Sequence, residues 1–129
     1  MQRIVLRIGG IDGRMNTECS ILCVGRDRLL LQSRKRVLAR RFQVEIVLAL
    51  AELEAVSAGR SFDVIVLCHT LTAQERKRAI ETVCKKFPRS KILALKREFE
   101  TSSGSFVDRE LCIEDGPDAL VRTVSAMAR

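Results

Sequence analysis

A chain of 129 residues, 47% of them hydrophobic, is the size of one domain with a real core and too short for two. No window approaches the ~18 consecutive apolar residues of a membrane span, and Arg3 and Arg7 interrupt "MQRIVLRIGGIDGR", so neither a spanning helix nor a secretion signal is expected and the chain reads as cytoplasmic. The formal charge of +7 is polarised, with seven bases and one acid in residues 26–41 against three bases and six acids in residues 100–129.

Residues 1–18 read as an N-terminal extension ahead of a domain over residues 19–129. Within the extension "RIVLRI" alternates apolar and basic residues and is a candidate edge strand or dimer contact, while Gly9, Gly10 and Gly13 lack the Lys-Ser/Thr pair of a phosphate loop. "SILCVG" is a short apolar strand ended by Gly25. The segment "RDRLLLQSRKRVLARRF" places Leu30, Val37, Leu38 and Phe42 on one helical stripe. "VEIVLAL" predicts a strand from Val44 to about Leu50. "AELEAVSAG" predicts a short helix closed by Gly59, a residue type that tolerates a left-handed C-terminal position.

"FDVIVLCHTL" carries five apolar residues, Val64 to Cys68, into the chain's one histidine, His69. "TAQE", Thr72 to Glu75, has capping-box form and starts a helix that Pro88 ends. "KILAL" is a fourth strand. The Ser/Gly cluster Thr101 to Ser105 then breaks the rhythm, and a loop with at most one or two helical turns is expected there. A weaker strand around Arg109 to Ile113 precedes a last helix with Pro117 at its first position and Leu120, Val121, Val124 and Met127 on one face.

Strands that are apolar throughout, alternating with helices, imply a parallel sheet covered on both faces. Five strands and five helical slots predict a flavodoxin-like, doubly wound five-stranded sheet in three α/β/α layers, with its crevice at the carboxyl ends of the strands. Gly25, Arg26, Cys68 and His69 should converge in that crevice.

The order of "ILCVGRDRLLLQSRKRVL", "FDVIVLCHTL" and "DGPDALVRTV" resembles the receiver domain of bacterial two-component response regulators, the CheY-like fold, over about Cys19 to Arg129. In that family an aspartate ending the third strand accepts a phosphoryl group and an acid pair after the first strand holds magnesium. A Ser or Thr after the fourth strand and a Lys after the fifth read the phosphoryl. Here the acceptor position is Cys68, the acid pair falls on Gly25 and Arg26 with Asp27 one place later, the hydroxyl position is Lys96, and the lysine position is Ile113. Every chemical member differs, and one carboxylate beside an arginine makes a poor magnesium site. The resemblance therefore implies a pseudo-receiver with a degenerate phosphorylation pocket, no metal and no cofactor.

The expected function is a phosphorylation-independent signalling adaptor of two-component, phosphorelay type. It would act by protein-protein contact rather than catalysis, on an unidentified signalling partner or as a homodimer through the last strand and helix. Two alternatives stand beside it. Cys68 is a candidate redox thiol if Arg26 and Lys96 lower its pKa, with Cys23 as resolving partner. The bland reading of all five cysteines is buried, reduced filler. The basic first helix, with Arg34, Lys35 and Arg36, is a candidate nucleic-acid surface, but without Trp or Tyr the chain has few stacking platforms and nucleic acid is not the expected partner. His69 as a base for Cys68 is disfavoured, because neighbours in a strand point to opposite faces.

Overall fold

The computed structural model describes residues 19–100 and 106–128. The N-terminal extension and the cluster Thr101 to Ser105 lie outside them. Five parallel strands, β1 (Ser20–Gly25), β2 (Gln43–Leu48), β3 (Val64–Leu67), β4 (Lys91–Lys96) and β5 (Arg109–Cys112), form one sheet in the order β2-β1-β3-β4-β5. This is the flavodoxin-like order, with its switch point between β1 and β3. Among the described residues four α-helices accompany it: α1 (Arg28–Leu38), α2 (Ala49–Ala55), α3 (Ala73–Lys86) and α4 (Gly116–Met127).

Alternation along the central strands divides the core in two. Ile21, Cys23, Val64, Val66, Cys68, Leu93 and Leu95 face α1 and α4, meeting Leu31, Leu38, Leu120 and Val124. Leu22, Val24, Ile65, Leu67 and Ile92 face the other way, meeting Leu53 of α2 and Ala79, Ile80 and Val83 of α3. All four residues of β3 are buried, as its unbroken apolar run predicts for a strand covered on both sides.

Several boundaries differ from the sequence reading. The second strand stops at Leu48 rather than about Leu50, because Ala49 turns the chain with φ 65° and Glu52 Oε1 accepts from the Leu48 amide at 2.5 Å. The second helix ends at Ala55, short of Gly59, and among the described residues the only glycine with positive φ is Gly116, at 88°. On α1 the buried residues are Leu31 and Leu38, and Phe42 packs beyond the helix end. The fifth strand ends at Cys112, and Ile113 opens a 3-10 turn, Ile113–Asp115. Of the five helical slots, four hold α-helices; the described part of the β4–β5 connection has turns and bends instead. No described helix is long and apolar enough to cross a membrane.

Candidate functional site

The crevice opens where β1 and β3 end side by side, and Gly25 makes their closeness possible. A Cβ at Gly25 would lie 3.0 Å from Thr70 Oγ1, 3.1 Å from Cys68 Cβ and 3.2 Å from Leu31 Cδ2. Thr70 Oγ1 also accepts from the Arg26 amide at 2.9 Å, so a side chain from beyond β3 covers the end of β1. Cys68 is tied to the same place, its amide donating to Val24 O at 2.8 Å.

The two residues after Gly25 are both committed to structure. Asp27 is the N-cap of α1, its Oδ1 accepting from the Leu30 amide at 3.2 Å. Arg26 reaches α3, where its Nε donates to Glu75 Oε2 at 2.6 Å. Glu75 in turn completes the capping box with Thr72, and these donors hold its carboxyl down at about 2. The Arg26 guanidinium is thus committed to a carboxylate on α3.

Cys68 is fully buried, and its thiol pKa is pushed up by burial against the opposing charges of Arg34 and then Arg76. Cys23 is buried as well and raised by its own burial and by Cys68 beside it. The cations that reach Cys68 are therefore not the expected Arg26 and Lys96, and the net direction is away from thiolate. Lys96 turns along the sheet to Glu110, 3.5 Å away. Ile113 packs on the apolar cluster beneath α1 and α4. Of the six predicted pocket residues, Gly25 and Cys68 come into contact, Arg26 and Asp27 turn to the starts of α3 and α1, Lys96 pairs with Glu110, and Ile113 packs on the apolar cluster.

Arg34 is the crevice residue that the sequence reading placed on the candidate nucleic-acid surface of the first helix. Its Nη2 lies 3.4 Å from His69 Nδ1, its charge bears on the Cys68 thiol, and its Nη1 is buried without a hydrogen-bond partner. Because β3 has already ended at Leu67, Cys68 and His69 share Arg34 instead of diverging. Burial, then Arg34 and Arg97, lowers the His69 pKa below its ordinary 6.5. Arg34 is three residues past Leu31 and four before Leu38, a spacing that put it on the buried stripe. Buried Arg76, on α3, faces Glu100 at 3.8 Å, and Glu100 Oε1 accepts from the Arg97 amide at 2.5 Å.

The donor set does not fit a divalent cation. Asp27 is spent as a cap, the neighbouring position is a guanidinium, and no group of three or more His, Cys, Asp or Glu residues among the described ones is placed to hold a metal ion.

No family model matches the sequence, and no curated protein matches it either. Solved structures do match. A response regulator from Thermotoga maritima is 14% identical with a TM-score of 0.71, over 85% of this chain and 97% of that one. The receiver domain of a Francisella response regulator is 16% identical with a TM-score of 0.72, over 85% and 96%. A Burkholderia pseudomallei response regulator whose structure holds a phosphorylated aspartic acid and a calcium ion is 17% identical with a TM-score of 0.69, over 86% and 66%. The fold is that of a response-regulator receiver domain. At these identities the receiver fold is what is shared, and in this chain its crevice carries Cys68, Arg34 and an Asp27 engaged as the N-cap of α1.

Proposed function

We propose that this chain is a receiver-fold signalling module of two-component type that works without aspartyl phosphorylation, by contact with a protein partner rather than by catalysis. One observation carries the reading: the residue that follows β3 presents a buried thiol, Cys68, under the charge of Arg34. A buried neutral thiol beside a guanidinium neither attacks phosphorus as a carboxylate would nor shares a metal with one. The carboxylates around the crevice are engaged, Asp27 with an amide, Glu75 with Arg26 and Glu100 with an amide. Candidate contact surfaces are the last strand and helix, which support homodimerisation as readily as a foreign partner, and the exposed basic side of α1.

The raised thiol pKa and full burial weigh against a redox sensor at Cys68. The nucleic-acid reading loses Arg34 from its surface.

The test is amide NMR of the protein with magnesium and beryllofluoride, then with acetyl phosphate. The expected spectra are unchanged at Gly25–Asp27, Cys68–Thr70 and Lys96. Saturable shifts confined to those residues would overturn the proposal.

A further inference from the structure

The two faces of the sheet are unevenly covered. α1 and α4 share one face and α2 and α3 the other, but past α3 no described helix lies over β4 and β5 on that side. Twelve residues, 97–108, join β4 to β5, and those described among them form turns and bends. Against the outer side of α3 lies a groove of about 830 Å³. Ala73, Ile80 and Cys84 supply its apolar wall from α3, and Phe99 and Phe106 stand opposite, 92% and 75% exposed. Only one other large hydrophobic among the described residues, Leu29, is comparably exposed. Paired exposed aromatics at an apolar trough mark a surface built to be covered.

The rim says what kind of partner fits. Lys77, Glu81 and Lys85 line the groove at four-residue spacing along α3, so they form one row, plus, minus, plus, roughly 12 Å long at 1.5 Å per residue. None of the three has an ion pair among the described residues. A trough that follows a 14-residue helix accepts another helix lying alongside it. A second copy of the same helix is the wrong occupant. Antiparallel pairing about a two-fold axis would set Lys77 against the other Lys85 and Glu81 against the other Glu81, like charge on like throughout.

We infer that this groove docks an amphipathic helix of a partner protein, with an apolar stripe over Ile80, Phe99 and Phe106 and a flanking acid, base, acid row at four-residue spacing. The inference does not depend on whether the β3 exit accepts phosphate.

Three stapled 16-residue helices test it, identical in apolar stripe and flanked by Glu-Lys-Glu, Lys-Glu-Lys or Gln-Gln-Gln, each titrated into ¹⁵N-labelled full chain. The Glu-Lys-Glu peptide is expected to shift amides from Ala73 to Lys85 and at Phe99 and Phe106. It should bind at least about threefold more tightly than Lys-Glu-Lys, the scale of exposed ion pairs. Replacing Lys77 and Lys85 together by Glu should reverse that preference. The double variant Phe99→Ser, Phe106→Ser should weaken binding about tenfold, as loss of aromatic anchors does, with an unchanged urea midpoint. Equal affinity for the three peptides, shifts elsewhere, or no binding at millimolar concentration would overturn the inference. So would a lowered urea midpoint in the Phe variant, which would mean that the chain covers its own groove. A dimer of the free protein dispersed by the same variant would assign the groove to self-association and also overturn it.

Discussion

Gly25 shows how a single missing side chain shapes the crevice. Its prospective Cβ would press on two sides, on Thr70 and Cys68 of the β3–α3 connection and on Leu31 of α1, at 3.0–3.2 Å. Gly25→Ala should therefore destabilise the fold by about 1–3 kcal/mol, the usual cost of overpacking, read as a lower urea midpoint. Buried Cys68, its thiol pushed up, should stay unmodified by iodoacetamide in the native protein while exposed Cys84 reacts. Native-state labelling of Cys68 at a rate near that of Cys84 would contradict its burial. The sequence showed where Cys68 and Asp27 fall, because an apolar run and its polar exit are local signals. It did not show Arg34, whose spacing was right for the buried face but which sits in a run so basic that solvation looked sufficient. Which cation reaches a thiol depends on side-chain paths that cross from one element to another.

Local chemistry at element ends was legible where both partners lie within one turn. "TAQE" announced the capping box, and the Thr72 and Glu75 contacts are both present. Less visible is a device used twice, once at the middle of the sheet and once at its β5 edge. Asp63, just before β3, accepts from the Ser20 amide at 2.8 Å while its own amide donates to Ser20 O. Asp108, just before β5, does the same with Ile92, at 2.7 Å and 2.9 Å. Each aspartate pins its strand to a neighbour distant in sequence, so nothing adjacent betrays it. Asp108→Ala should cost about 1–3 kcal/mol by stranding the amide of buried Ile92, and Asp63→Ala less, since Ser20 is closer to water. Thermal melts of the two variants check the ranking. The strand-to-helix switch at Ala49 was equally opaque, because Leu and Ala suit either state and only φ marks the change.

Across the molecule, acid should loosen the fold in two steps. His69 binds its proton less readily folded than unfolded, so stability declines as pH drops below 6.5. The carboxyl of Glu75 is held at about 2 against an ordinary 4.5, so the Arg26–Glu75 contribution is complete above pH 4.5 and vanishes as pH falls to about 2. Urea midpoints measured from pH 7 to pH 2 should show both declines, and Glu75→Gln should flatten the lower one alone. Alternating strands and helices made the layered parallel architecture readable, while the incomplete covering beside α3 was readable only as a break in rhythm. The hydrogen bond from Cys19 Sγ to Ala128 O, 3.9 Å long, brings the first and last of the described residues together below the sheet, away from the crevice. Topologically the described backbone, Cys19 to Ala128, is thus an almost closed ring. A linker of about five residues from Ala128 to Cys19, with fresh termini cut in the exposed turn at Ser57–Arg60, should give a circular permutant that keeps the native circular-dichroism spectrum.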